Sequence, residues 1–190
     1  MLTLADFEET GAYLTGHFRL SSGLHSDHYL QCARLLMWPD RAERAGRELA
    51  GRLAEFSPQA VVSPALGGVV IGHEVARALG VRALFAERRE GVFTLRRGFA
   101  IAPGERIAVV EDVFTTGGST REVCEAVASE GGEVVAVGSL VDRGVPGDAF
   151  SVPARSVLSL SVPSWSAERC PLCEKGVPLD APGSRFASAL

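Results

Sequence analysis

Two adjacent carboxylates stand directly before a loop rich in hydroxyls and glycines, near the middle of the 190-residue chain. Glu111 and Asp112 follow a β-branched run, and the loop after them contains Thr115, Thr116, Gly117, Gly118 and Ser119. Glycines let the main chain approach a ligand closely, and free backbone N–H groups at a helix start bind phosphate. Two carboxylates suit the vicinal hydroxyls of a ribose. The spacing therefore predicts that this loop holds a ribose 5-phosphate.

An ordinary strand-to-helix turn with a capped helix is the alternative interpretation of this loop. It explains Ser119 and the glycines, but it leaves Glu111 and Asp112 at the exit of the strand unexplained. Two other phosphate-binding patterns do not fit. The lysine of the GxxxxGK[ST] loop is missing, and the GxGxxG fingerprint of dinucleotide-binding domains is absent.

A strand and a helix must position the loop. The β-branched run before the acids predicts a buried strand over 106–111. Ser119 and Glu122 have the spacing of a capping box, which predicts a helix from 119 to about 130, where two glycines end it.

The rest of the chain alternates between helices and strands. Thr3 with Asp6 can cap a first helix reaching about Leu14, and Asp40 with Glu43 can cap a second one. Further predicted elements are strand 60–63, helix 69–79, strand 82–86, a hairpin or mobile flap over 92–101, strands 133–141 and 156–161, and a packed tail over 163–190. This alternation predicts a parallel sheet covered by helices on both faces, with the ligand at the carboxyl ends of its strands.

Composition narrows the class of protein. The length fits one domain, and 46% hydrophobic with 22% charged residues is ordinary for a globular protein. A net charge of −4 argues against a general nucleic-acid binder. No apolar run has the length of a membrane span. Four cysteines without a secretion signal predict that the protein is located in the reducing cytoplasm. Lys175 is the only lysine among the 19 lysine and arginine residues. Any basic side chain that a binding site needs before the C-terminal tail must therefore be an arginine.

The run from Val109 to Thr120 resembles the phosphoribosyl-diphosphate (PRPP) signature of the type I phosphoribosyltransferases. In that signature a hydrophobic stretch precedes two acids, a short apolar-threonine segment and Gly-Ser/Thr. The resemblance implies the α/β fold of that family, a central parallel sheet flanked by helices on both faces with a small N-terminal hood. It implies one domain over 1–190, with the hood contributed by about 1–35 and the C-terminal tail. The implied cofactor is Mg2+, held through PRPP.

Site roles follow from the resemblance. The PRPP-binding residues are expected to be Arg88, Arg89, Glu111, Asp112, Val113, Phe114, Thr115, Thr116, Gly117, Gly118 and Ser119, and the catalytic residues Arg88 and Asp112. The turn over 64–68 matches the family's diphosphate loop, although a plain connector is the alternative.

Two features point to the orotate branch of the family. Asp142-Arg143 ends the strand after the PRPP loop, as in that branch, where the arginine grips the substrate carboxylate. A guanidinium fork pairs bidentately with a planar carboxylate, so Arg143 is expected to bind the carboxylate of orotate. Thr115 is expected to hydrogen-bond the pyrimidine side of the same pocket. A surface ion pair is the alternative for Arg143. The segment 21–31 resembles the family's hood over the base, and a polar surface loop is its alternative.

The activity implied by the resemblance is transfer of a 5-phosphoribosyl group from PRPP to orotate by a cytoplasmic homodimer. The products would be orotidine 5′-phosphate and diphosphate, in pyrimidine biosynthesis. A purine phosphoribosyltransferase and a non-catalytic PRPP-binding regulator of the same fold are the alternatives.

The predicted flap departs from the family pattern. Orotate enzymes carry lysine and histidine there, whereas this chain has Arg88, Arg89, Arg96 and Arg97. Arginine does not titrate near neutral pH, so charge stabilisation of diphosphate is carried over but proton transfer is not. A solvated basic face is the alternative for Arg96 and Arg97.

The remaining cysteines and histidines carry weaker signals. Cys170 and Cys173 form a CxxC, half of a zinc site, which two such pairs across a dimer axis could complete. Cys32 and Cys124 are predicted to be buried small side chains, and His17 and His73 to be structural.

Overall fold

The computed structural model describes residues 1–20 and 22–182, which contain six α-helices and eight strands. In chain order they are α1 (Leu4–Glu9), β1 (Tyr13–Arg19), β2 (His25–Leu30), α2 (Ala33–Leu36), α3 (Pro39–Leu53), β3 (Ala60–Pro64), α4 (Gly67–Leu79), β4 (Arg82–Arg89), β5 (Val92–Leu95), β6 (Arg106–Phe114), α5 (Gly118–Ser129), β7 (Glu133–Asp142), β8 (Ala154–Ser159) and α6 (Pro171–Glu174). Within the described ranges, no helix combines the length and apolar character needed to cross a membrane.

A six-stranded sheet forms the centre, in the order β5-β4-β3-β6-β7-β8. All neighbouring pairs are parallel except β4 and β5, which form an antiparallel hairpin. The predicted parallel sheet is therefore confirmed. The segment over 92–101, predicted to be a hairpin or a mobile flap, begins with β5, the second strand of the β4–β5 hairpin.

Helices cover both faces of this sheet because its central strands are apolar on both sides. On one face, Val61 and Val110 pack in a cluster with residues of α3 and α4 such as Leu49 and Ile71. On the other face, Val109 packs with residues of α5. Successive residues of a strand point to opposite faces, so a continuous run of valines serves two cores at once.

The helix predicted to be capped by Asp40 and Glu43 is α3, and its cap differs from the prediction. Its N-cap is Trp38 in extended conformation, followed by Pro39 as the first helical residue, with no side-chain cap. Proline is suited to this position because its missing N–H would be unpaired there in any case. Glu43 pairs with Arg47 one turn later, at 2.7 Å, so the Asp40–Glu43 cap is wrong.

The N-terminal region folds into a hairpin where a longer helix was predicted. The Thr3–Asp6 cap is confirmed, since the Thr3 N–H donates to Asp6 Oδ2 at 2.8 Å. However, α1 ends at Glu9, and β1 and β2 form an antiparallel pair. The hairpin is bound to the tail through backbone pairing of His25 with Trp165. Sequence alone could not show this pairing, because the partner lies far along the chain.

Candidate active site

The two acids lie within β6 rather than at its end. β6 continues to Phe114, three residues beyond the predicted end, because the neighbouring strand β7 continues to Asp142 and pairs with it. Adjacent strand residues point to opposite faces. Accordingly, Glu111 contacts Thr120 of α5, whereas Asp112 faces Gly67 of α4. The two carboxylates therefore occupy different surroundings, although they are neighbours in sequence.

Glu111 is half-buried on the α5 side of the sheet. The Thr120 hydroxyl donates a hydrogen bond to its Oε2 atom. Burial raises the pKa of Glu111 to about 7; the Thr120 hydrogen bond opposes that rise, and the negative charge of Asp112 adds to it. This carboxyl group therefore changes its protonation state near neutral pH. A polar ligand that replaces the water removed by burial would favour loss of its proton.

Asp112 is half-buried beside the start of α4. Burial raises the pKa of its carboxyl group, and a hydrogen bond of 3.0 Å from the Val113 N–H to Oδ1 opposes the rise. A Cβ atom on Gly67 would lie 2.9 Å from both carboxylate oxygens. Glycine therefore allows the first turn of α4 to approach the carboxylate, and the turn over 64–68 lies beside the end of β6.

The loop between β6 and α5 exposes its threonines to solvent just before the helix begins. Thr115 and Thr116 are exposed, and Gly117 is the N-cap with a φ of 73°. A side chain at Gly117 would collide with the ring of Phe150, 2.8 Å from the added Cβ. Glycine is thus needed both for the backbone conformation and for the packing.

The capping box predicted for this helix is wrong. α5 begins at Gly118, one residue earlier than expected, and no side chain caps it. Glu122 instead binds Arg88. The first N–H groups of α5 are consequently without a side-chain cap and are suited to binding an anion.

Two predicted contact residues point into the protein. Phe114 is fully buried, and its ring packs against Phe150 with centroids 4.9 Å apart. Val113 is half-buried against the core on the α4 side. A contact of either residue with PRPP stays a prediction, and the packing leaves only the main chain for it.

Arg143 lines a cleft of about 230 Å³ next to this loop. The other lining residues are Leu20, Ser22, Leu24, Thr115, Thr116, Val162 and Ser164. Burial lowers the pKa of the Arg143 guanidinium. Its Nε is buried and has no hydrogen-bond partner among the described residues.

The surface ion pair considered for Arg143 is not formed with any residue in 1–20 or 22–182. Its neighbour Asp142 is occupied elsewhere, accepting hydrogen bonds from the N–H groups of Gly144 and Val145 at 2.8 and 2.9 Å. A partly buried cation without a counter-ion, at the wall of a cleft, is suited to binding an anionic ligand.

Two segments far apart in the chain contribute to the walls of the cleft. Ser22 and Leu24 lie in the turn between β1 and β2, and Val162 and Ser164 lie in the tail. Most of the predicted hood segment is therefore strand β2 rather than loop, and Ser21 lies outside the described residues. The two tail residues were missed because no motif or periodicity marks them.

Arg88 and Arg97, two of the four arginines in or beside the predicted flap, form close ion pairs. The Arg88 guanidinium binds both oxygens of Glu122, at 2.6 and 3.1 Å, and lies 4.2 Å from the centre of the Phe93 ring. Its positive charge lowers the pKa of Glu111, so it lies near the acids. Arg97 binds Glu87 through two hydrogen bonds of 2.8 Å.

Comparison with known proteins agrees with this geometry. The profile of the phosphoribosyl transferase domain matches residues 33–168. The orotate phosphoribosyltransferase of Pelotomaculum thermopropionicum is 54% identical over 182 residues, covering 96% of each chain. This chain belongs to the orotate phosphoribosyltransferase family. Among solved structures, the orotate phosphoribosyltransferase of Aeropyrum pernix superposes with a TM-score of 0.68 at 29% identity, covering 83% of this chain and 94% of the other.

A further structural relative carries a bound ligand. The Mycobacterium tuberculosis orotate phosphoribosyltransferase in complex with PRPP superposes with a TM-score of 0.61 at 28% identity. The match covers 77% of this chain and 90% of the other. The type I phosphoribosyltransferase fold expected from the sequence is thus confirmed.

Proposed function

We propose that this protein transfers the 5-phosphoribosyl group of PRPP to orotate, giving orotidine 5′-phosphate and diphosphate for pyrimidine biosynthesis. Membership of the orotate phosphoribosyltransferase family supports this proposal. The single structural observation that carries it is Arg143, a partly buried cation with an unpaired Nε at the wall of the cleft. Orotate has a planar carboxylate that a guanidinium can bind through two hydrogen bonds, and purine bases have none.

The loop and the acids would bind the other substrate. Thr115, Thr116 and the N–H groups that begin α5 are placed to bind the 5-phosphate, because hydroxyls and uncapped helix amides both donate to phosphate oxygens. Glu111 and Asp112 would accept hydrogen bonds from the two ribose hydroxyls. We further propose that Arg88, with Arg89, neutralises the diphosphate, for which Arg88 has to leave Glu122.

Mg2+ fits this site as a cofactor bound mainly through PRPP. The carboxylates of Glu111 and Asp112 are hard oxygen groups of the kind that Mg2+ and its hydration waters prefer. When bound, Mg2+ supplies positive charge to the leaving diphosphate. The protein groups hold the ribose through its hydroxyls, so that C1′ faces the cleft that contains Arg143.

Catalysis would then depend on positioning and electrostatics. The C1′–diphosphate bond would break through an oxocarbenium-like state, with diphosphate leaving with the bonding electron pair. A ring nitrogen of orotate would bond to C1′ while its N–H proton passes to the departing diphosphate or to water. Arginines in the β4–β5 hairpin stabilise the negative charge that develops on diphosphate, but they transfer no proton near neutral pH. We also propose that the chain acts in the cytoplasm as a single catalytic domain whose hood combines the β1–β2 hairpin and the tail.

An absorbance assay tests this function. Purified protein, orotate, PRPP and Mg2+ are mixed, and the loss of orotate absorbance is followed with Arg143→Ala as the comparison. We expect turnover with orotate and none with adenine, hypoxanthine or xanthine. Turnover of a purine alone would show a purine phosphoribosyltransferase. PRPP binding by calorimetry with no turnover of any base would show a regulator.

A further inference from the structure

Two histidines of the hairpin and two cysteines of the tail meet at one point, away from the phosphate loop. One ligand-type atom from each of His17, His25, Cys170 and Cys173 lies within 4.8 Å of the other three. His17, His25 and Cys170 are at most 5% exposed, and Cys173 is exposed. Segments about 150 residues apart therefore converge on one small volume that is open to solvent on one side.

The distances are close to those between the corners of a metal tetrahedron. With Zn–N bonds of about 2.0–2.1 Å and Zn–S bonds of about 2.3 Å, tetrahedral ligand atoms lie about 3.3–3.8 Å apart. The separations are 3.1 Å for His17 Nε2–His25 Nδ1, 3.2 Å for Cys173 Sγ–His25 Nδ1, 3.4 Å for Cys170 Sγ–His17 Nε2 and 3.7 Å for Cys173 Sγ–His17 Nε2. Small shifts of the side chains would complete the geometry.

The tautomer of His17 is set for metal binding. Its Nδ1 lies 2.8 Å from the carbonyl oxygen of Val177, which can only accept a hydrogen bond. Nδ1 therefore carries the proton, and Nε2 turns its lone pair towards the two sulfurs. Metal-bound histidines usually have such a partner on their other nitrogen, because it fixes the ring and the tautomer.

Local structure brings each pair of ligands to the same side. Arg19 is directly opposite His25 in the hairpin, and His17 lies in the irregular part of β1 just before it, where its Nε2 comes within 3.1 Å of His25 Nδ1. Cys170 is the N-cap of α6, and Cys173 lies within its single turn, so a spacing of three residues places both sulfurs on one side.

We propose that this chain binds one Zn2+ through His17, His25, Cys170 and Cys173. A tetrahedral set of two imidazoles and two thiolates is characteristic of zinc, and four protein ligands leave no open position for catalysis. The site is therefore structural. From the sequence, the CxxC was half of a zinc site that a second pair across a dimer axis could complete, whereas the other two candidate ligands come from the same chain. The hairpin histidines were the missed signal.

The metal would tie together the two segments that form the hood. Next to the cluster, the Asp180 N–H donates to the His17 carbonyl and the His25 N–H donates to the Trp165 carbonyl, both at 2.8 Å. The hairpin contributes Leu24 to the cleft, and the tail contributes Val162. The zinc site stands on its own geometry and does not depend on which base enters the cleft.

Metal analysis of the full-length protein is the first test. After expression with added zinc and purification without chelators, mass spectrometry of the elements should find about one zinc per chain. Cys173→Ser, at the exposed ligand, should lose most of it. Cys124→Ser, on α5 and outside the cluster, is the matched control and should keep it. Equal zinc in all three proteins, or less than about 0.1 zinc per chain in wild type, would overturn the proposal.

Two measurements on wild type do not depend on a variant folding. Replacement of the metal by Co2+ should produce the visible bands of tetrahedral cobalt together with a thiolate charge-transfer band. Removal of the metal by a chelator should lower the Tm by about 5 °C or more, and added Zn2+ should restore it. A six-coordinate cobalt spectrum, or a Tm that responds to neither chelator nor Zn2+, would overturn the proposal.

Discussion

At the residue scale, burial shifts the charged groups of the site towards neutrality. It raises the pKa values of Glu111 and Asp112 and lowers that of Arg143. In each case water has been removed before a ligand supplies a replacement partner. The site therefore has two kinds of binding group. The carboxyl groups of Glu111 and Asp112 can accept hydrogen bonds from ligand hydroxyls, and the Arg143 guanidinium can bind an anion.

Replacement of Arg143 separates the two substrates. Arg143→Ala should raise the KM for orotate by about 10- to 100-fold, because a charge-assisted hydrogen-bonded pair is lost. The KM for PRPP should change by less than about threefold, because no role in PRPP binding falls to this side chain. Steady-state kinetics measures both constants, with Arg47→Ala on the exposed surface of α3 as control. Equal losses for both substrates would contradict the role of Arg143.

The raised pKa of Glu111 predicts a stability that depends on pH. The folded state holds this proton up to about pH 7, whereas the unfolded chain releases it near 4.5. Stability is thus lost as pH rises between these values, by up to about 3 kcal/mol. Glu111→Gln, which cannot ionise, should gain Tm relative to wild type at pH 8 more than at pH 5.

Thermal melts over this pH range measure the difference between the two proteins. Glu125→Gln, at an exposed site of α5, controls for the loss of one negative charge. A gain in Tm that is the same at pH 5 and pH 8 would show that Glu111 is not a protonated buried group.

At the element scale, local patterns predicted what local contacts decide. The β-branched run, the glycines before and after α5, and the Thr3–Asp6 cap act within a few residues, and β6, α5 and α1 are all present. The predicted caps at Asp40 and Ser119 failed because Glu43 and Glu122 bind arginines instead. The β1–β2 hairpin was missed for a related reason, since its partners lie in the tail.

The ion pair between Arg88 and Glu122 ties the β4–β5 hairpin to α5. Both side chains are about two-fifths exposed, so the pair contributes no more than about 1 kcal/mol. Glu122→Gln should free Arg88 for diphosphate and lower the KM for PRPP by up to about fivefold. Arg88→Ala should raise that KM. PRPP titrations at fixed orotate measure both effects, and a higher KM in Glu122→Gln would contradict a role of Arg88 at diphosphate.

At the scale of the whole molecule, four large apolar side chains in or next to α2, α3 and α4 are exposed to solvent. Met37, Trp38, Leu66 and Val70 are between 45% and 87% exposed. They lie where α2 meets α3 and in the first turns of α4, and α2 contacts α4. Large apolar side chains grouped in this way are typical of a subunit interface. We propose that a second copy of the chain covers them.

Light scattering tests this homodimer. The mass in solution should be twice the chain mass of 20.1 kDa. Trp38→Glu should shift the mass towards one chain, because a buried charge opposes association. Ser129→Glu, at the exposed end of α5, should remain dimeric. A wild-type mass of one chain at micromolar concentration would rule the dimer out.

The pairing of the β1–β2 hairpin with the tail has a consequence for biosynthesis. β6, the phosphate loop and α5 are synthesised before the tail segment that pairs with the hairpin. The wall formed by Val162 and Ser164 is completed late, because the tail up to Asp180, which binds the hairpin, is synthesised after them. Until the tail is synthesised, the hairpin lacks its backbone partners there, so the cleft is completed last.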